Sequence, residues 1–309
     1  MALCSSQAKT NISTRCPHAC GCTGSEKITQ KAAAIHGPGW RREELLRADW
    51  LAPRAGLSDT LIPLYAQAQG VFRDRYAGLA DALRTACGTE VAPGSPLPTS
   101  TNKACADEIL AVLEDETTTG DKAFEGYNPR RTLGDYEFSA TLGSGYTPDQ
   151  LAEFAKAAKD HNLGAAEGAE DTVGTKTVDG YVRIYPQIKD LISVLQGNGI
   201  DTWVVSASPE PIVEVWAPEV GIAADHVVGV RSELADGKIT PNMQPCGGTS
   251  DVITYVDGKR CWANQVIFGI DGAAAWTQAP EDVRQIFAAG DSTTDVTFVA
   301  DATRGHLVI

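Results

Sequence analysis

The sequence predicts an α/β fold, namely a doubly wound parallel, Rossmann-like sheet with a helical cap region. From about residue 180 onward, short apolar stretches alternate with amphipathic helices at the spacing of βαβ units. Before that point, apolar residues recur at steps of three and four, which is the helical period. The length of 309 residues, 43% of them hydrophobic, is sufficient for two domains or one large one.

The first half is predicted to be mainly helical, with no convincing strand. Residues 1–38 are polar and aperiodic, so they are expected to form a leader. Helical periodicity follows over residues 40–86 and returns at 104–114. A further helix is predicted to begin at Thr147, which can serve as N-cap and form a capping box with Gln150, with Pro148 at the first helical position. It is predicted to end near Gly164.

The second half is predicted to alternate helices with strands. The helices are expected at 186–197, 209–217, 280–285 and 294–302, the strands at 201–206, 226–230, 285–289 and 306–309, and a hairpin turn at Asp236-Gly237. This pattern divides the chain into a leader (1–38), a cap region (39–178) and an α/β core (179–309).

Composition and charge exclude several classes of function. No apolar run approaches the roughly 18 residues of a membrane span. Lys and Arg number 26 against 40 Asp and Glu, a net charge of −14, so nucleic-acid and membrane-surface roles are not expected. An acidic protein can still bind a small phosphorylated metabolite if a metal and a local cation offset the repulsion.

The eight cysteines bear on localisation. Two pairs, Cys87 with Cys105 and Cys246 with Cys261, flank loop-like stretches and could form disulfides, which would favour an extracytoplasmic compartment. The other four crowd the N-terminus, at Cys4, Cys16, Cys20 and Cys22. Of these, Cys16, Cys20 and Cys22 with His18 could suggest a metal knuckle, but no second ligand pair follows at zinc-finger spacing, so a disordered leader is the favoured interpretation. Residues 1–30 lack the apolar region of a secretory signal, so localisation stays open.

Three features fall where ligands bind in such sheets, beyond the carboxyl ends of the strands. Ser206 ends a predicted strand just before a helix, where it could help to seat an anion or simply cap the helix. Asp291 and Asp295 follow another apolar strand and could share a Mg²⁺ ion, or serve as a helix cap and a solvated carboxylate. Lys259 could neutralise a phosphoryl group in the same pocket, or be an ordinary surface lysine.

Together these features resemble the haloacid dehalogenase-like hydrolases, most closely the branch of phosphoserine and phosphorylcholine phosphatases. The resemblance covers residues 180–309 and rests on the order of the strand ending in Ser206, the hairpin, Lys259 and Gly-Asp291-x-x-x-Asp295. It implies that the Ser206 hydroxyl and the neighbouring Ala207 amide bind phosphoryl oxygens and that Lys259 holds the phosphoryl group. It also implies that Asp291 binds Mg²⁺, with Asp295 as second ligand or support. The implied reaction is Mg²⁺-dependent hydrolysis of a small phosphomonoester through an aspartyl-phosphate.

The sequence departs from this family at the nucleophile. The family's first motif is a strand followed by Asp-x-Asp-x-Thr, and no Asp-x-Asp occurs in the chain. Asp135 with Glu137, Asp271 and Asp74 are rejected as substitutes, because none combines a preceding apolar strand with a second carboxylate two residues on. Since the strand of that motif is central to the sheet, the chain is expected to be a fragment or a mis-started reading frame.

Other functions remain open. The chain could be a degenerate family member that binds phosphate or metal without turnover, and the leader could be an interaction segment. Dehalogenation is weaker, because the two aspartates suggest a metal-dependent phosphate site. Cap aromatics (Trp40, Trp50, Tyr65 and Tyr76) could favour a quaternary ammonium group by cation–π contact or could simply be core. The sequence predicts neither the substrate nor the oligomeric state.

Overall fold

The structure, a computed structural model, describes residues 31–32, 82–83, 85–87, 97–132 and 134–308. Most of the predicted leader and of the helices over 40–86 lie outside these residues. The four N-terminal cysteines and the four cap aromatics also lie outside them. For residues 31–32, only the backbone is described, and it forms strand β1 (Lys31–Ala32).

Three helices dominate the described part of the first half: α1 (Lys103–Leu113), α2 (Gly134–Thr141) and α3 (Pro148–Gly164). The predicted capping box of α3 is confirmed, because Thr147 Oγ1 accepts from Gln150 N (3.2 Å) and Gln150 Oε1 accepts from Thr147 N (3.0 Å). The box satisfies two backbone groups that helix geometry leaves without intrahelical partners.

The prediction that this half contains no strand is wrong. β2 (Glu170–Val173) and β3 (Lys176–Asp179) form an antiparallel hairpin. Its residues are polar and largely exposed, and only Val173 is buried, against Ala106 and Leu110 of α1. The apolar alternation that identifies a half-buried strand is therefore absent from the sequence here.

The second half alternates helices and strands as predicted. In chain order its elements are α4 (Pro186–Gly197), β4 (Asp201–Thr202), β5 (Val204–Pro209), α5 (Glu210–Trp216), β6 (Val227–Val230), β7 (Ser232–Ala235), β8 (Lys238–Met243), α6 (Asp257–Val266), β9 (Phe287–Gly290), α7 (Val296–Ala300) and β10 (Gly305–Val308). Short 3₁₀ turns connect several of them, including Gly272–Trp276 and Thr293–Asp295.

The strand pairings confirm the predicted α/β class. β1 pairs with β4, β5 with β6 and β9 with β10, all in parallel. Besides β2–β3, the antiparallel pair in the described chain is the hairpin β7–β8. Its turn is the predicted Asp236-Gly237, and both residues have positive φ, as a type I′ turn requires.

A predicted helix at 280–285 is absent from the structure. The amides of Val283 and Arg284 both donate to Pro280 O at 3.0 Å, which closes one turn and no more. The following Gln285 is buried, and its amide group donates to Phe298 O at 2.8 Å. Because this contact holds Gln285 against α7, the chain enters β9 at once and has no room for a helix.

Separate apolar clusters support the two halves. One contains Ile109, Phe124 and Phe138, and another packs Val205, Trp262 and Phe298 around the parallel strands. Each cluster includes one of the two predicted disulfides, Cys87–Cys105 and Cys246–Cys261, which the structure confirms. No helix in the described ranges has the length and hydrophobicity needed to cross a bilayer.

Candidate functional site

Ser206 lies in an irregular part of β5 rather than at its end. Val205 pairs with Val228 and Pro209 pairs with Val230, so three residues of β5 stand opposite one residue of β6. Within this bulge Ser206 is buried, and its Oγ accepts from the Ser208 amide at 3.2 Å. Bulges of this kind re-aim side chains and are common beside functional sites.

The helix predicted at 209–217 is present as α5, but it starts four residues after Ser206, so Ser206 neither ends its strand nor caps the helix. α5 begins only at Glu210, and its N-cap is Pro209, which makes no side-chain capping bond. The strand continues beyond Ser206 because β6 pairs with it again at Pro209. Ala207, the next residue in the bulge, is also buried.

Lys259 lies in the first turn of α6, directly after a tight backbone turn with a rare conformation. Residues 255–258 form a type II′ turn, closed by the Gly258 amide donating to Tyr255 O at 2.8 Å. Its first central residue is Val256, with φ +47° and ψ −104°, where glycine is normally required. At Gly258 a side chain is excluded, because a Cβ would lie 1.9 Å from Ile253 O.

Lys259 and Asp295 form a fully buried ion pair. The lysine side chain is 0% exposed and that of Asp295 is 4% exposed, and the lysine Nζ donates to Asp295 Oδ1. The other oxygen, Oδ2, is buried and has no hydrogen-bond partner among the described residues. A Cβ at Gly290 would lie 2.8 Å from that oxygen, so this position accepts only glycine without displacing the carboxylate. Because buried polar atoms nearly always have a partner, Asp295 Oδ2 is a candidate ligand atom for a cation or a hydrogen-bond donor.

Asp291 follows directly on Gly290, at the carboxyl end of β9, and is half-buried. With Asp295 it offers hard carboxylate oxygens, which suit Mg²⁺ bound by one or two carboxylates together with water and a phosphate. Within the described ranges, no group of three or more His, Cys, Asp or Glu side chains is placed to hold a metal ion. Lys259, Asp291 and Asp295 together carry one more negative than positive charge, so a phosphate would need a divalent cation beside it.

Hydrogen bonds connect the segments that carry the predicted residues. Thr254 Oγ1 donates to Ser206 O, and two residues later the Val256 amide donates to Thr294 O at 3.0 Å. Asp295 is the next residue, paired with Lys259. The bulge of β5, the start of α6 and the loop after β9 thus form one contiguous region.

Several residues of this region were not predicted. The Thr254 hydroxyl joins the loop before α6 to the bulge of β5, and neither its type nor its neighbours indicate this in the sequence. Asp257 pairs with Arg130 at 2.6 Å across 127 residues, a separation at which no local pattern carries a signal. Hydrogen bonds to Arg130 and then to Thr297 lower the pKa of Asp257 below its ordinary value.

The carboxylates that were rejected as nucleophiles lie in other settings. Asp135 and Glu137 are buried within α2, a helix, rather than after a strand. Asp271 is exposed at the start of the 3₁₀ turn Gly272–Trp276. Asp74 lies outside the described residues.

Two solved structures align with this chain, and the first of them shares its fold. A conserved, functionally unknown protein from Anaerococcus prevotii DSM 20548 aligns with a TM-score of 0.54 and 17% identity, over 87% of this chain and 75% of that one. A protein of unknown function from Bordetella pertussis Tohama I aligns with a TM-score of 0.46 and 16% identity, over 90% of this chain and 89% of that one. A TM-score this low does not establish a shared fold. At these identities the first alignment shows the fold alone. A comparison with curated protein sequences gives no match.

A family model adds what the structural likeness cannot. It is that of the haloacid dehalogenase-like hydrolases, and it matches residues 122–299. The matched stretch is more than half of the chain and contains Ser206, Lys259, Asp291 and Asp295. The chain therefore belongs to the haloacid dehalogenase-like hydrolase family.

Proposed function

We propose that this chain carries the phosphate- and Mg²⁺-binding site of a phosphomonoesterase that acts on a small phosphorylated metabolite. The observation behind the proposal is the buried Lys259–Asp295 pair, which leaves one carboxylate oxygen open. The Ser206 bulge adjoins it through Thr254. A cation, an open anion and a hydroxyl in one buried region are what a phosphoryl group with its metal requires.

Each residue then has a definite task. The hydroxyl of Ser206 and the amide of Ala207 would donate to phosphoryl oxygens, and Lys259 would balance the negative charge of the phosphoryl group. Asp291 and Asp295 would hold Mg²⁺, with Lys259 fixing the orientation of Asp295. Bound there, Mg²⁺ would neutralise phosphoryl oxygens and so favour attack on phosphorus.

The nucleophile is the open part of the proposal. Hydrolysis in this family would need an Asp-x-Asp after a strand, which the 309 residues do not contain. This observation favours a second candidate function, a family member that binds phosphate and metal without turnover. If an in-frame strand ending in Asp-x-Asp-x-Thr is found upstream of Met1 in the gene, the longer chain should hydrolyse phosphomonoesters.

Organisation and context complete the proposal. We place the cap at 39–178, the core at 179–309 and the leader at 1–38. The order of the site residues supports the phosphoserine and phosphorylcholine phosphatase branch. The two disulfides support an extracytoplasmic location. A small phosphorylated metabolite is the expected partner, with no nucleic acid and no membrane.

Calorimetry tests the binding part of the proposal. Inorganic phosphate is titrated into the native chain with and without Mg²⁺, and we expect binding only with the metal. Asp291→Asn should abolish that binding, because it removes a charged Mg²⁺ ligand. Asp271→Asn is the matched control, since Asp271 is exposed and makes no side-chain capping bond, and it should bind phosphate as the native chain does.

Turnover separates the two candidate functions. Hydrolysis of p-nitrophenyl phosphate that requires Mg²⁺ would support the phosphatase, and binding without hydrolysis would support the non-catalytic member. Absence of both from the native chain would overturn the proposal, as would equal losses in Asp291→Asn and Asp271→Asn.

A further inference from the structure

Residues 128–132, the strap, run along the loop that leads into α6. Three hydrogen bonds fasten the strap to that loop: Thr132 Oγ1 to Asp251 O at 2.5 Å, Ile253 N to Arg131 O at 3.1 Å and Asp257 N to Arg130 O at 2.9 Å. The strap lies more than a hundred residues earlier in the chain, in the proposed cap region. The path of the loop is therefore set by a segment outside the proposed core.

The guanidinium of Arg130 adds a connection between two helices. Its Nε and Nη2 donate to the two oxygens of Asp257, each at 2.6 Å. The same Nη2 lies 3.2 Å from Thr297 Oγ1, which in turn donates to Asp257 at 2.8 Å. Asp257 begins α6 two residues before Lys259, and Thr297 lies on α7 two residues after Asp295. Arg130 thus connects α6, which carries Lys259, to α7, which begins directly after Asp295.

The strained backbone at Val256 depends on these hydrogen bonds to keep its conformation. Val256 holds a positive φ that a β-branched residue rarely adopts, and such a conformation persists only where the surroundings over-determine it. The strap fixes the amides of Ile253 and Asp257, on either side of Val256, and Thr294 O accepts from Val256 itself. If these anchors were released, the turn could relax, and Lys259 at its end would move with it.

We propose that Arg130 is a positioning residue, which acts through Asp257 to hold Lys259 against Asp295 in the phosphoryl site. The inference rests on the proposed function for its consequence, phosphate binding, but the positioning itself is visible without ligand. Arg130 is 59% exposed at its side chain, so its ion pair contributes little to global stability. Its effect should therefore be local.

Amide hydrogen exchange of the full chain without ligand tests the positioning directly. In Arg130→Met, we expect faster exchange at residues 253–258, with a melting temperature close to that of the native chain. Lys159→Gln, which removes the ion pair between α3 and Glu219 (2.6 Å), is the control and should leave exchange at 253–258 unchanged. Unchanged exchange in Arg130→Met, or equal acceleration in the control, would overturn the inference.

Phosphate affinity in the presence of Mg²⁺ tests the consequence. We expect Arg130→Met to weaken binding about tenfold, as for other groups that orient ligands from outside the contact layer. Arg130→Lys should restore part of the loss, because lysine keeps the charge but not the paired N–H bonds. Asp257→Asn should weaken phosphate binding as much as Arg130→Met does. Combining Arg130→Met with Asp257→Asn should weaken it no further than either single change. Additive losses, or no loss, would contradict the inference, whereas a native chain that binds no phosphate would contradict the proposed function and leave the exchange result decisive.

Discussion

Two helices of this molecule are built alike and use their buried charge differently. α1 carries Cys105 of one disulfide and the buried Glu108, and α6 carries Cys261 of the other disulfide and the buried Lys259. Glu108 is satisfied at both oxygens, because the Thr118 amide lies 3.4 and 3.2 Å from them and the Thr118 hydroxyl donates to one.

The carboxylate that faces α6 is not satisfied in this way. Asp295 receives the Lys259 ammonium at one oxygen, and its other oxygen has no partner within the described chain. Burying a carboxylate costs free energy unless its acceptors are used, so the Glu108 arrangement is complete, whereas that of Asp295 leaves one acceptor unused among the described residues. Burial of charge alone therefore does not distinguish the two helices, whereas the hydrogen bonding of the buried carboxylates does.

Of the changes proposed, removing the Lys259 ammonium should lower the free energy of unfolding most. Lys259→Met leaves the buried charge of Asp295 without its counter-ion, so we expect the free energy of unfolding to fall by about 3–5 kcal/mol in urea titrations. Adding Asp295→Asn should recover part of that loss.

Glu108→Gln is the matched change in the first helix. It should cost about 1–3 kcal/mol, since it weakens the bonds from Thr118, and it should leave phosphate affinity unaltered. A loss of phosphate binding in Glu108→Gln would show that the two helices are not separate in function.

The two disulfides allow a second comparison of α1 with α6. They span 18 and 15 residues, so replacing either pair by alanine should lower the free energy of unfolding by a similar amount, about 3 kcal/mol. Replacing Cys246 and Cys261 should also weaken phosphate binding, because Cys261 anchors the helix of Lys259. Replacing Cys87 and Cys105 should not. Equal effects on phosphate affinity, measured by calorimetry, would refute this distinction.

The smallest expected effect comes from a single methyl group. Gly290→Ala places a Cβ 2.5 Å from Cβ of Asp295 and 2.8 Å from its Oδ2, so the carboxylate must move, and Mg²⁺ affinity should fall about tenfold. Gly164→Ala is the control, because a Cβ there has no neighbour within 4 Å. It should leave Mg²⁺ affinity unchanged and alter stability by less than about 1 kcal/mol. Similar Mg²⁺ titrations for both variants would refute the steric argument.

Local patterns in the sequence were sufficient for much of this fold. Thr147 and Gln150 bond to each other across three residues, so the capping box was predictable, as was the turn at Asp236-Gly237. The polar hairpin β2–β3 was not, because its strands bury almost nothing and show no alternation. The bulge at Ser206 was also beyond the sequence, since it arises from the way β5 pairs with β6.

The candidate site shows the same limit. The residue types and order of Ser206, Lys259, Asp291 and Asp295 indicated the family, which the family model supports. What the sequence did not show is how they are held: the strained Val256, the Thr254 bridge and the long-range pair of Arg130 with Asp257. Such contacts depend on which distant segments meet in the fold, and no spacing along the chain encodes them.

The separations that build the site also set an order of events during synthesis. Thr254 contacts Ser206 across 48 residues, Lys259 contacts Asp295 across 36, and Arg130 contacts Thr297 across 167. Because closing such loops costs entropy before the contacts repay it, the local structure of α1 and α3 can form on the ribosome well before the site does. Until Asp295 emerges, Lys259 lacks the carboxylate with which it is buried, so we expect α6 to dock only after residue 295 has been synthesised.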